Sequence, residues 1–377
     1  MTEPLKTSVC ELLNIEYPIV LAGMGGASTP ELAAAVSNAG GLGVLGAASC
    51  GPTRLRNWIK RTRELTDKPF GVDTLLPASV RRQEQVSVTG EPQQERSLDA
   101  HRAFAQSFME EHGLDNQVNS LNSEAIEDDN DDGLVLFSEP FFRAQMEVIV
   151  EERVPVYAAG LGNPGPWMDQ LKANDTKVIC VVGAVRHAVQ VASVGIDIVV
   201  AQGHDAGGHN SPVGTMALIP QVVDAMVDIP VLAAGGIADG RGVAAALMLG
   251  AEGVWVGSAF LAASEAGIYD FQKQALVDAT EESTVISKSI TGKPCRVLRS
   301  SWTMAWEKSE LNPLPMPYQS MISDPVMAAA VSGQRVDVYP GIAGQGIGMI
   351  KAVRPAADIL ADYVQGARLA LANRGID

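Results

Sequence analysis

Basic residues are scarce in this chain. Lys and Arg number 28 against 44 Asp and Glu, a formal charge of −16 over 377 residues. Such a field repels phosphate backbones and anionic bilayers, so neither nucleic acid nor a membrane surface is an expected partner, and small molecules remain. Cysteine is scarcer still. Cys10, Cys50, Cys180 and Cys295 lie far apart, with no CxxC pair and no zinc-ligand spacing, so no metal site is expected from them. Cys180 sits inside an apolar run and reads as core. This usage fits a reduced, cytoplasmic protein. No apolar run reaches the roughly 20 residues that span a bilayer. The opening MTEPLKTSVCELLN lacks the basic start and apolar run of a secretory signal. Hydrophobic residues nevertheless make up 46%, which supplies a large core and excludes wholesale disorder.

What the chain does contain is a rhythm. Short runs of β-branched and small residues at 17–23, 41–47, 70–76, 154–161, 177–183, 197–203, 229–236 and 253–261 read as strands buried on both faces. Between them lie helical stretches at 30–38, 53–65, 140–152, 166–173, 184–194, 215–226 and 240–249. Ser28 or Thr29 is placed to cap the first of these, with Pro30 at its first position and Glu31 in its first turn. An eighth helix is expected near 270–279. Eight such α/β units predict a closed (β/α)8 TIM barrel over residues 1–261, in preference to a doubly wound open sheet, which rarely runs to eight even units.

Two stretches break the rhythm. Residues 78–138 are polar and too long for an ordinary βα loop, so they form an insertion, with a helix expected near 97–112. Their end carries an acidic run that also satisfies a calcium-loop pattern, with Asp128, Asn130, Asp132, Gly133 and Glu139 at the ligand positions. A run this dense meets the pattern easily, no clear amphipathic helix precedes it, and Pro140 follows. It reads as a solvated loop ahead of a helix. Residues 262–335 are irregular and helical, with Pro313, Pro315 and Pro317 close together, and read as a small lid or substrate domain. The final segment, 336–377, ends in a long helix at 356–372 that returns to the barrel.

The chemistry concentrates at Ile196–Asn210. A β-branched strand breaks there into a turn with glycines and two histidines, His204 and His209. Glycine lets a backbone approach a ligand without a Cβ in the way, and an imidazole moves protons near neutral pH. The spot is the C-terminal end of a parallel strand, where barrels of this kind place their sites. Two more glycine turns follow the seventh and eighth strands, at Gly235-Gly236 and Gly257-Ser258. Backbone amides there hold a phosphate without a basic cluster, which suits so acidic a chain. Arg241 is either a helper at that phosphate or half of a surface salt bridge. The implied ligand has a phosphate at one side and its reactive part over the barrel centre. FMN fits, and a phosphorylated sugar is the rival.

These residues resemble a family. AQGHDAGGH at 201–209, IPVLAAGGIADGRG at 229–242 and LGAEGVWVGSAFL at 249–261 resemble nitronate monooxygenases, also called 2-nitropropane dioxygenases. PIVLAGMGG at 18–26, KPFGVD at 68–73, GKPCRV at 292–297 and AGQGIGMI at 343–350 match the same pattern, so only about 78–138 stands outside it. The resemblance implies an FMN-binding (β/α)8 barrel. It implies that His209 is the catalytic histidine and that Gln202, Gly207, Gly208, Gly235, Gly236, Gly257 and Ser258 contact FMN. Ala22, Gly23 and Met24 match the turn under the flavin ring. Asp73 falls where the family usually has an asparagine facing that ring. An ionised carboxylate cannot donate as an amide does, so Asp73 either disfavours a negative ring or is itself protonated. Asn210-Ser211-Pro212, after the histidine, also departs from the family and is expected to reshape the substrate pocket.

The activity implied is oxidation of an alkyl nitronate with O2 to a carbonyl compound and nitrite. The alternative is an NAD(P)H-dependent FMN reductase of a quinone or an enoyl thioester, since related reductases share parts of the pattern. A third possibility is a non-catalytic phosphate-binding barrel. His204 is expected to shape its turn through the backbone. Trp302, Trp306, Met316 and Tyr318 are expected either to line the pocket or to pack a core.

Overall fold

Val20 faces Leu42 across a parallel bridge, and that contact closes an eight-stranded sheet into a barrel. The computed structural model describes residues 5–76, 92–114, 132–316 and 318–373. Its strands are β1 (Ile19–Leu21), β2 (Gly43–Gly46), β3 (Phe70–Leu76), β4 (Val156–Gly162), β5 (Lys177–Val182), β6 (Ile198–Gln202), β7 (Gly208–His209), β8 (Val231–Ala234), β9 (Gly253–Val256), β10 (Thr284–Ser287) and β11 (Cys295–Leu298). The order around the barrel is β1-β9-β8-β6-β5-β4-β3-β2, with every neighbouring pair parallel. At the seam the Leu21 amide donates to Leu42 O at 2.9 Å and the Leu42 amide to Ile19 O at 3.0 Å.

The period of two along each strand sorts side chains to two cores. Val20, Val44, Val156, Ile179, Ile198, Val200, Leu232 and Trp255 point inward and fill the barrel. Leu21, Leu45, Val72, Tyr157, Val199 and Val254 point outward and pack under the helices. Val9 and Leu13, on the helix Ser8–Leu13, join the inner cluster and plug the end from which the strands start. Such a sheet is apolar on both faces, as the near-continuous hydrophobic runs require.

The expected helices appear at Pro30–Asn38, Pro52–Leu65, Glu139–Glu151, Met168–Ala173, Val185–Ala192, Thr215–Ala225 and Gly240–Met248. Three expectations are corrected. The eighth strand stops at Val256, and Ser258–Leu261 turns into a short helix. The eighth helix of the ring is not the one near 270–279. A helix does form at Asp270–Asp278, but it packs on the short 3-10 turn Gln345–Met349. The place between Gly240–Met248 and Pro30–Asn38 is taken by Ala356–Ala372, so residues 257–355 are inserted between the last strand and its helix. The fit is close: a Cβ on Gly240 would run into the backbone of Tyr363, Gly366 and Ala367, and the Tyr363 hydroxyl donates to Ile237 O at 3.0 Å. Finally, Ser28 does not cap the first ring helix. Its hydroxyl donates to Ala22 O at 2.9 Å and accepts from the Met24 amide at 3.1 Å, which braces the turn leaving β1.

The segment read as helical also holds an antiparallel hairpin, β10 and β11. Its helices Ser301–Lys308 and Tyr318–Ser332 share a separate core with the helix Pro92–Glu111, where Phe108, Met109, Trp302, Trp306, Ile322 and Val326 meet. The described helix of the polar insertion and the lid helices therefore share one core. Of the calcium-like pattern, Asp128 and Asn130 lie outside the described residues. Asp132 hydrogen-bonds Thr53, and Glu139 pairs with Arg143 at 2.8 Å. No metal-ligand cluster occurs among the described residues.

Candidate active site

The residues singled out from the sequence converge. Ala22, Gly23 and Met24 beyond β1, Asp73 on β3, Gln202 at the end of β6, and Gly207, Gly208 and His209 around β7 all line one cavity. So do Gly235 and Gly236 beyond β8 and Gly257 and Ser258 beyond β9. The cavity measures about 920 Å³ and opens at the C-terminal mouth of the barrel, in the range of small-molecule and cofactor sites.

His209 is held from two sides. β7 pairs with β11, with His209 opposite Cys295, so the lid hairpin and the barrel loop share this ladder. The Gln202 side-chain amide donates to His209 O at 2.8 Å. The ring Nε2 lies 2.8 Å from Thr291 Oγ1. Burial pushes the imidazole below its usual pKa, and the nearby Lys293 ammonium pushes the same way. The ring is therefore neutral at neutral pH, free to take a proton or to accept a hydrogen bond.

His204 has a different task. Its Nδ1 lies 2.9 Å from Ser211 O and its amide donates to Val213 O at 2.7 Å, which folds the loop back on itself. The His204 carbonyl in turn accepts from Asn210 Nδ2 and from the buried Arg296 guanidinium. Asn210, Ser211 and Pro212 all face the cavity.

At the other side the turns are bare backbone. Gly235 and Gly236 have φ of 101° and 72°, a region closed to most side chains. A Cβ on Gly236 would sit 3.0 Å from Asp205 Cβ. Ser258 Oγ accepts from the Gly344 amide at 2.8 Å, and the Gln345 amide donates to Asp205 O at 2.9 Å. The Gly341–Gly348 loop is thereby tied over these turns. Arg241 is not part of the site: it pairs with Asp239 at 2.8 Å on the surface.

Asp73 lies in the cavity floor. It is buried, accepts from the Gly160 amide, and burial drives its carboxyl well above the usual range. Trp302 and Trp306 belong to the lid core, and neither they nor Met316 and Tyr318 line the cavity. Thr291, which meets His209, and Lys293, Tyr269, Gln272 and Tyr339, which line the cavity, were not singled out from the sequence. Thr291 and Lys293 sit in the hairpin turn, which composition alone did not reveal.

Similar proteins share this fold along nearly the whole chain. A monooxygenase-named protein of Mycobacterium tuberculosis is 37% identical over 370 residues, covering 96% of each chain. A nitroalkane oxidase from Streptomyces ansochromogenes superposes with a TM-score of 0.79 at 29% identity, covering 98% of this chain and all of that one. FabK from Thermotoga maritima superposes with a TM-score of 0.75 at 34% identity, covering 99% of both. The family model for nitronate monooxygenase matches residues 6–366. With a neutral histidine and glycine turns around one cavity at the mouth of the barrel, and this match along nearly its whole length, the chain belongs to the nitronate monooxygenase family and is an oxidoreductase.

Proposed function

We propose that the protein is an FMN-dependent nitronate monooxygenase that oxidises alkyl nitronates with O2 to a carbonyl compound and nitrite. The observation that carries this reading is the shared cavity: His209 faces the same space as the glycine turns at Gly235-Gly236 and Gly257-Ser258. Those turns suit a phosphate, because Gly235 and Gly236, at positive φ and without side chains, leave backbone amides facing the cavity. The small residues Ala22, Gly23 and Gly160 leave room for a flat ring over the barrel centre. Bound FMN would supply the redox chemistry, accepting electrons from substrate and passing them to O2. The protein's part is position and proton control. His209, neutral and fixed by Thr291, orients an anionic nitronate or takes the α-proton of a neutral nitroalkane.

A second reading is an NAD(P)H-dependent reductase of a quinone or an enoyl thioester at the same site. It is favoured by the likeness to FabK over the full chain. Anaerobic mixing of the FMN-loaded protein separates the two. Bleaching of the flavin by propyl nitronate supports the monooxygenase. Rapid bleaching by NADH or NADPH with none by the nitronate overturns it in favour of the reductase. A purified protein that shows no flavin absorbance, even after FMN is added, would overturn both and leave a non-catalytic barrel.

A further inference from the structure

Asp73 is an unusual neighbour for a ligand site. Strand alternation turns it inward, one step above Gly71, in register with Gly46 of β2 and Ala158 of β4. Ala22, Gly160, Val181 and Ala234, all small or apolar, line the same cavity, as does Gln202 at the end of β6. Its side chain is wedged: a Cβ on Gly23 would overlap Asp73 Cβ, and one on Gly160 would lie 3.0 Å from Asp73 Oδ1. The Gly160 amide is its one backbone donor. No Lys, Arg or His pairs with it among the described residues. The titratable groups that sense it are Tyr157 on β4 and Cys180 on β5, both buried with their ionisation pushed up and hence neutral. β1 and β2 bring no titratable group against it. His209, Lys293, Arg186, His187, Tyr269 and Tyr339 line the same cavity, and none of the cations among them forms an ion pair with Asp73.

A buried carboxylate needs a cation or several donors, and this one has a single amide. A carboxylic acid there has the opposite need: its O–H wants an acceptor, and a ligand seated in the cavity that Asp73 lines can supply one. We propose that Asp73 is carried as the neutral acid and gives the hydrogen bond of its O–H to an acceptor atom of the ligand seated in the cavity, so that ligand binding and the proton on Asp73 are coupled. This rests on the FMN reading above. In that case FMN binds the protonated form, and binding above the carboxyl's titration draws a proton from solution.

The test is FMN binding to the ligand-free protein, followed by quenching of FMN fluorescence from about pH 5 to about pH 9, beside infrared spectra of the ligand-free protein. The wild type should bind with a constant Kd on the acid side. The Kd should then rise by up to about tenfold per pH unit once Asp73 ionises. Asp73→Asn, which keeps the shape and always offers N–H donors, should bind with that alkaline limb removed. His209 titrates in both proteins, so the limb that the substitution removes belongs to Asp73. The infrared spectrum of the wild type near pH 7 should carry a protonated-carboxyl C=O band that Asp73→Asn lacks. No such band, or binding profiles that stay superimposable across the pH at which the band disappears, would overturn the proposal. Binding at no pH in either protein would overturn the FMN reading and the ligand half of this inference, while the infrared band still decides the proton on Asp73.

Discussion

His209 Nε2 meets Thr291 Oγ1 at 2.8 Å across a gap of 82 residues in sequence. One partner comes from the barrel loop after β6 and the other from the turn of the β10–β11 hairpin, so the imidazole is oriented only when lid and barrel are docked. Replacing His209 by Asn should lower kcat by about 10²–10⁴, the usual contribution of a positioned acid or base, while FMN binding persists. Steady-state rates and flavin absorbance on the same preparation check both halves.

Thr291 positions the ring and touches no reacting atom in this scheme. Thr291→Val removes the hydroxyl but keeps the shape, and loss of one neutral hydrogen bond is worth about 1 kcal/mol, or several-fold in rate. Thr291→Ser should restore the rate. A shift in the acid limb of the pH profile with Thr291→Val would separate orientation from mere packing.

The sign of the histidine shift sets the acid side of that profile. The neutral ring is the working form, and burial with Lys293 nearby holds its pKa below the usual value near 6.5. Activity should therefore persist below pH 6.5 and fall only as the pH drops through the lowered value. Lys293→Met removes the second cause and should move the limb upward. An unchanged limb in a rate-against-pH series would contradict that assignment.

Asp73 makes a prediction of opposite direction for stability. Its folded pKa is raised, so below about pH 3.9 both folded and unfolded forms hold the proton and nothing is lost. As the pH rises from there to the folded value, the unfolded chain alone releases its proton, and the native state is progressively destabilised. Asp73→Asn should melt higher than the wild type at neutral pH, with the difference vanishing near pH 4. Paired melting curves across that window decide it.

The phosphate turns are open to a simple substitution. Gly236→Ala places a Cβ at a φ of 72° and 3.0 Å from Asp205 Cβ. The backbone cost of a non-glycine residue in that region is about 1–2 kcal/mol. FMN affinity should fall tenfold or more, while Gly214→Ala, outside the cavity lining and with nothing within 4 Å of its Cβ, should bind as the wild type does. Titration by fluorescence quenching measures both.

Much of this was legible in the sequence, and for one reason. The barrel strands are continuous apolar runs ended by glycine, so both the repeat and the position of the C-terminal mouth follow from local pattern. His209, Gly236 and Ser258 sit where those runs stop. What escaped depends on contacts distant in sequence. Thr284–Ser287 and Cys295–Leu298 become strands because they pair with each other and with Gly208–His209, a partnership invisible to periodicity over four residues. Thr291 and Lys293 were lost with that hairpin. The eighth helix was misplaced because Asp270–Asp278 has helical residues at the expected spacing, and only packing tells it from Ala356–Ala372. The insertion's helix was expected near 97–112 but its packing was not, because Phe104 and Phe108 find their partners some two hundred residues later, in Trp302 and Trp306.

Because Ala356–Ala372 fills the gap between the first and seventh ring helices, the apolar flanks of Gly240–Met248 and Pro30–Asn38 have no cover while the ribosome is still making the lid. A nascent chain halted anywhere before that helix carries a sticky longitudinal seam, a species suited to chaperone capture or to joining a second incomplete molecule. Cooperative maturation must then await the last helix, however early the strands have formed.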